Sequence, residues 1–269
     1  MTLADINRLP KTFTGARWTW AGQRWLSPLV LVLLWQLGAE IGWIPARILA
    51  APSAVALTFW SMLVSGQLGT NLLVSFVRVM AGLAIGVAVG TTLALISGLS
   101  RLGETVVDAP VQMLRTLPVL ALAPLFIVWF GIGETPKVGL IALSAVFPVY
   151  LNLFNGIRGI DVRLIEAARS FGLKGGALIW HVVLPGAMPS FLLGLRFALA
   201  VSWLVLVVAE EINASSGLGY LIMDARDFMR TDIIVVCLVI YALLGLGADT
   251  LVRGIEAKAL AWRPAFLNK

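Results

Sequence analysis

Windows of predominantly apolar residues, each about 20 residues long and so able to cross a hydrocarbon layer of roughly 30 Å as a helix, recur along this chain. About six can be placed, at 26–44, 72–99, 107–130, 138–157, 191–212 and 233–252. A shorter apolar stretch, VALTFWSMLV, follows Pro52 and Ser53 and is of a length to lie along a membrane interface rather than to cross. The pattern predicts an all-α integral membrane protein with about six transmembrane helices.

Polar and special residues modulate this pattern at three places. In the second window Gly82, Gly86 and Gly90 recur every fourth position, which puts three small residues on one helix face and invites close packing of another helix. The third window is interrupted by Pro110, Pro118 and Pro124. Each proline removes a backbone donor, so this segment is expected to be surrounded by protein or to line a wet path. Between the fourth and fifth windows lies the longest polar connection, DVRLIEAARSFGLKGGALIWHVVLPGAMPS. Asp161 there is placed to cap a helix ending near Phe171, and Gly172 to close it in a left-handed conformation. Leu164, Ala168 and Phe171 would share one face. A second short helix, ALIWHVV, is expected to stop at Pro185.

Composition agrees with the spans. The chain of 269 residues is 59% hydrophobic and 13% charged, with a mean hydropathy of +0.95, far from the usage of water-soluble domains. Its formal charge of +6 would suggest nucleic acid in a soluble protein. Here the basic residues fall between spans, where they set orientation, so no nucleic-acid partner is expected. Counting them puts Arg8, Lys11, Arg17, Arg24, Arg101, Arg158, Arg163, Arg169, Lys174, Arg253, Lys258, Arg263 and Lys269 on one side, and Arg47, Lys137, Arg226 and Arg230 on the other. Both termini are therefore expected in the cytoplasm. The organisation that results is a cytoplasmic amino-terminal segment at 1–25, a transmembrane domain at 26–255 carrying a loop at about 158–190, and a cytoplasmic tail at 256–269. Residues 1–25 do not read as a removed signal peptide.

Candidate chemistry is sparse. The single histidine, His181, cannot make a metal site alone, and the single cysteine, Cys237, lies in an apolar run. A phosphate-binding G-x-x-x-x-G-K-[ST] loop is absent, and no Gly-Lys pair occurs. Neither a cofactor nor a metal is expected on this chain. Arg78, Arg115 and Arg196 stand within or at the ends of apolar windows, where a charge must be paired or wetted, and so are candidates for function. Arg115, with Thr116 and Pro118, is the first choice for a substrate pathway. Ser202, Trp203 and Glu210 are further candidates, although for Ser202 and Trp203 buried helix packing is favoured over substrate stacking. Glu210 and Glu211 could form a solvated span end before a flexible NASSGLG stretch.

The polar connection carries a resemblance. Glu166, Ala167 and Ala168, then three residues, Gly172, nine residues, Val182, one residue, and Leu184 with Pro185 are similar to the EAA loop of importer permeases of the ATP-binding cassette superfamily. Val182 stands where that pattern has isoleucine. Further stretches, among them SGLSRLGETVVDAPVQMLRTLPVLALAPLFIVWFGIGET and LRFALAVSWLVLVVAEEINASSGLGYLIMDARDF, resemble the aliphatic sulfonate permeases, in the group that includes taurine and nitrate permeases. The resemblance covers nearly the whole chain after about residue 25.

It implies a type I importer permease fold (MetI-like), a homodimer in the bacterial inner membrane, two copies of a separate ATPase holding ATP and magnesium, and a periplasmic solute-binding protein. Glu166, Ala167, Ala168, Phe171, Gly172, Leu184 and Pro185 would then dock the ATPase, and the cargo would be a small organic anion, most simply an aliphatic sulfonate. Taurine, nitrate or another small solute is the alternative cargo. A secondary transporter would require inverted repeats and acidic residues near the midplane, which the sequence does not offer. A membrane anchor without transport would leave the EAA spacing without a reason.

Overall fold

The computed structural model describes residues 19–262, and every regular element among them is helical. Arg8, Lys11, Arg17, Arg263 and Lys269 lie outside the described residues. Ten helices follow in chain order: α1 (Thr19–Glu40), α2 (Pro52–Val64), α3 (Gln67–Leu99), α4 (Arg101–Leu114), α5 (Val119–Phe130), α6 (Glu134–Arg158), α7 (Val162–Ser170), α8 (Gly175–Ile212), α9 (Leu218–Asp227) and α10 (Thr231–Ala259).

Four of these, α3, α6, α8 and α10, are long and apolar enough to cross a membrane by themselves, and α4 with α5 reach that length and apolarity only together, bent by 86° as a broken span or a re-entrant loop. The apolar part of α1 described in full, Leu26–Glu40, is shorter. The window at 107–130 is thus not one rod. Pro118 sits at the turn with extended backbone, and four residues of tight 3-10 helix, Val119–Leu122, lead into α5. A proline there leaves the preceding residue disfavoured for α-helix, so the chain turns instead of continuing.

Helix α6 is the centre of the fold, held between α3 and α8. On the α3 side the glycine stripe makes the approach possible. A β-carbon built on Gly86 would lie 2.5 Å from the Ala142 carbonyl oxygen, and one on Gly82 would lie 2.6 Å from Ile141. At Gly90 the corresponding distance to the Val146 carbonyl oxygen is 2.8 Å. On the α8 side the same device is used twice: a β-carbon on Gly156 would meet Ser190 at 2.6 Å, and one on Gly194 would meet the Pro148 carbonyl oxygen at 2.9 Å. Lipid supplies no hydrophobic drive between spans, so this close van der Waals contact is what joins them. Outside the triplet, α10 packs on α8, α9 and α2, with Thr58 donating to Asp232 at 2.7 Å across α2 and α10.

Helix α8 corrects one expectation. Pro185 does not end a short helix; the chain runs on without interruption from Gly175 to Ile212. Just before the proline, Ile179–Val183 form a π-helical turn, and the Leu184 amide donates five residues back, to Ile179. The wider turn moves the ladder by one residue, and Pro185 then falls in the first turn of the α-helical part, where a missing donor costs little.

Candidate functional site

Two regions of this chain gather polar chemistry, and they lie at opposite ends of α8. From Leu184 to Glu210 the helix advances about 39 Å, so the loop before it and the carboxylate near its end are separated by roughly the thickness of a bilayer with its interfaces.

The first region is the connection between α6 and α8. Asp161 caps α7: its carboxylate accepts from the Arg163 amide at 2.9 Å. At the other end the Gly172 amide donates to the Arg169 carbonyl (2.9 Å) and the Leu173 amide to the Ala168 carbonyl (3.1 Å). These two crossed bonds are the Schellman closure, and they require the left-handed backbone that Gly172 adopts at φ +86°. Ala168 is buried against the body of the protein, whereas Phe171 is 86% exposed and Leu164, Glu166 and Ala167 are also exposed. The expected shared face is thus divided: Ala168 seats the helix, Leu164 stands over the cleft beside it, and Phe171 faces outward. Leu184 and Pro185 are half-buried at the root of α8. His181 is exposed and bonds only its own turn, at the Ala177 carbonyl. Behind α7 a cleft of about 370 Å³ opens between Asn155, Asp161, Leu164, Pro189 and Trp262, so the end of α10 lies on this same side.

A polar cluster braces this end from within. Tyr150 on α6 donates its one hydroxyl proton to Asp108 at 2.8 Å and can accept from the Ser97 hydroxyl at 3.2 Å. Arg158 pairs with Glu104 and donates to the Ser97 carbonyl at 3.3 Å. Helices α3, α4 and α6 are thereby joined beside the loop.

The second region is a buried clasp at the far end. Glu210 is fully buried, which overturns its reading as a solvated span end. Its carboxylate accepts from Arg78 Nη1 (2.7 Å), from the Ser75 hydroxyl (2.8 and 2.9 Å) and from the Gly219 amide (2.8 Å). Arg78, 4% exposed, reaches with Nε and Nη2 to both oxygens of Glu134, at 2.5 and 2.7 Å, and Glu134 in turn takes Lys137 at 2.9 Å. Two cations and two carboxylates therefore balance: Arg78, Lys137 and Glu210 are buried, and Glu134 closes the cluster at its exposed rim, 60% accessible.

The loop expected to be flexible is held by the same groups. Arg78 donates to the Ser216 carbonyl at 2.6 Å, and the amides of Gly217 and Leu218 donate to Asn71 (2.7 Å) and Ser75 (2.8 Å). Gly217 has φ +117°, and a β-carbon there would stand 2.4 Å from a Glu210 oxygen. Arg78 is thus consumed by internal pairing and is not free for an anionic ligand.

The remaining candidates are dispersed. Arg115, Thr116 and Pro118 are exposed at the bend between α4 and α5. Ser202 and Trp203 are buried in the core of α8; their polar atoms, with the Tyr241 hydroxyl beside Trp203, have no hydrogen-bond partner among the described residues. Arg196 is paired with Asp249 of α10. Sequence reading missed the clasp members Ser75, Glu134 and Lys137. The available signal was charge matching: an arginine inside one span, an acid inside another, and Glu134 and Lys137 one turn apart at the start of a third.

A family profile described as binding-protein-dependent transport system inner membrane component matches residues 82–260. Among curated relatives, the chain is 48% identical to the aliphatic sulfonates transport permease protein SsuC of Escherichia coli (strain K12), covering 93% of this chain and 95% of that one. It is 44% identical to the protein of the same description in Bacillus subtilis (strain 168), over 90% of this chain and 87% of that one. The taurine transport system permease protein TauC of Escherichia coli (strain K12) is 30% identical over 91% and 93%. Among solved structures, an amino acid ABC transporter chain superposes with a TM-score of 0.62 at 21% identity, covering 74% of this chain and 98% of that chain. A chain of the MetNI methionine ABC transporter, in an inward-facing conformation, superposes with a TM-score of 0.54 at 21% identity over 73% and 97%. These two likenesses establish the fold.

Proposed function

This chain belongs to the family of binding-protein-dependent transport system inner membrane components, and from that premise we propose that it forms the membrane path of an ATP-driven importer for aliphatic sulfonates. The observation that carries the coupling part of this reading is the α7 element: a helix capped at both ends, seated by Ala168, and presenting Glu166, Ala167 and the exposed ring of Phe171 away from the chain. An amphipathic helix offered in this way fits a groove on a soluble partner. The partner is an ATPase on a separate chain, in two copies with ATP and magnesium, because this sequence carries no phosphate-binding loop of its own.

In the working complex α7 lies in the cytoplasm, two copies of this chain face one another, and a periplasmic solute-binding protein delivers the cargo. Closure of the ATPase displaces α7. The continuous α8 helix carries that displacement through the membrane toward the loop held by Glu210. The exposed bend with Arg115, Thr116 and Pro118 belongs to the pathway, because irregular backbone at membrane depth is tolerated where protein or water, not lipid, surrounds it. Ser202 and Trp203 are buried in α8 with unpartnered polar atoms, and Trp203 packs in one apolar cluster with Val119 and Leu122, which follow the bend. Glu210 contributes through the clasp and not by touching cargo.

Sulfonate is favoured as cargo by the two relatives of that description, both well above the taurine permease in identity. The test is ATP hydrolysis by this chain reconstituted in liposomes with its ATPase and binding protein. Hexanesulfonate is expected to stimulate hydrolysis more than taurine does. Stimulation by taurine alone would replace the cargo, and failure to assemble with any ATPase would overturn the importer reading.

A further inference from the structure

Arg196 on α8 and Arg253 on α10 converge on one carboxylate, Asp249, at 2.5 and 2.8 Å. Both arginines use Nε for this contact. Among the described residues no other protein acceptor is hydrogen-bonded to either guanidinium, so both terminal nitrogens of each keep donor capacity. The triad carries a net charge of +1 and is not sealed: Arg196 is 36% exposed and Arg253 63% exposed.

Its depth follows from the helix. Asp249 precedes the end of α10 at Ala259 by about 15 Å and Arg253 by about 9 Å, on the side of the α7 loop, since Trp262 lines the cleft behind that loop. Beside the triad, Phe197 follows Arg196 on α8 and Leu246 stands one turn before Asp249 on its own face of α10, both large, apolar and exposed. A cationic notch beside such residues, about two to three turns below the helix end, calls for an anion that arrives on an acyl chain. Basic notches between spans at this level are matched by anionic headgroups.

We propose that Arg196 and Arg253, held in register by Asp249, bind the headgroup phosphate of an anionic phospholipid in the leaflet on the α7 side, with its chains running past Phe197 and Leu246. Asp249 keeps the two guanidinium groups together while leaving their terminal nitrogens for the phosphate. This site is independent of the cargo assignment above.

The test uses the full chain in vesicles of phosphatidylcholine with or without phosphatidylglycerol, with a photoreactive phosphatidylglycerol probe and peptide mapping of its adducts. Adducts are expected on the α8 segment around Arg196 and the α10 segment around Arg253. They should fall about fivefold for each arginine removed, at roughly 1 kcal/mol per basic contact near a lipid surface. Arg253→Gln is the primary variant, because the Arg196–Asp249 pair between helices remains and the fold is kept; Arg196→Gln/Arg253→Gln should cut labelling about twenty-fivefold. Equal labelling by a phosphatidylcholine probe, or undiminished labelling of Arg253→Gln, would overturn the proposal. So would displacement of the probe by hexanesulfonate, which would make the notch part of the solute path.

Discussion

Arg78 of α3 and Glu210 of α8 form a 2.7 Å ion pair, nearly or fully removed from solvent, that fixes the far end of the three-helix core. Removing one partner leaves the other charge buried and uncompensated, a loss of about 3–5 kcal/mol. Arg78→Met and Glu210→Met should each lower the thermal unfolding temperature of the purified chain sharply. The double variant should lose much less than the sum, and strict additivity in such a cycle would mean that the pair is not coupled.

Gly217 should tolerate no side chain. Its positive φ and its 2.4 Å clearance to Glu210 both act against a β-carbon, so Gly217→Ala should destabilise by about 2 kcal/mol or more. Gly245→Ala is the control: nothing lies within 4 Å of its added carbon, and in a helix interior alanine should be neutral to stabilising by up to about 1 kcal/mol. Equal melting of the two variants would contradict the clasp geometry.

The glycine stripe makes a related prediction about assembly of the spans. A β-carbon at Gly86 overlaps the Ala142 carbonyl on α6 at 2.5 Å, and backbone cannot move aside cheaply. Gly86→Val should therefore prise α3 from α6, seen as loss of monodisperse protein on size exclusion and rapid proteolysis in membranes. Wild-type behaviour of that variant would remove the stripe from the account of helix packing.

At the α7 loop the effects should separate folding from coupling. Gly172→Val forces a branched residue to φ +86°, and the Schellman closure is lost; Gly172→Asn, which tolerates that conformation, should retain most function. Solute-stimulated ATP hydrolysis in the reconstituted complex is expected to collapse in the first and persist in the second, with both proteins present in the membrane. Identical behaviour of the two would show that backbone conformation is not what matters there.

Phe171 gives the complementary case. Its ring is exposed, so Phe171→Ala should leave the melting temperature of the isolated chain unchanged. If that ring fills a groove of the ATPase, its loss should weaken the complex by about 2 kcal/mol, or roughly thirtyfold in Kd. Unchanged affinity in a binding titration would place the ATPase contact elsewhere.

Much of this arrangement was legible in the residues, for identifiable reasons. Helical periodicity, the Asp161 cap and the Gly172 stop are local signals, and α7 forms between them. The small-residue spacing at 82, 86 and 90 implied a close helix neighbour but not that the neighbour is α6, since partner choice is a tertiary matter. Pro185 misled because a π turn absorbs its missing donor, and no residue type announces such a turn. NASSGLG looked flexible by composition, yet its amides are bound by Asn71, Ser75 and Glu210, partners as much as 146 positions away in sequence. The inward-facing charges were visible singly; their pairing required the fold.

The unbroken course of α8 also constrains how this gene can change. Inserting or deleting one codon between those for Pro185 and Glu210 would turn the distal carboxylate by about 100° around the axis and shift it by about 1.5 Å. Glu210 would then point away from Arg78, Ser75 and the Gly219 amide together. Substitutions along this stretch can be absorbed one at a time, but its length in codons is set by the two ends it must satisfy at once.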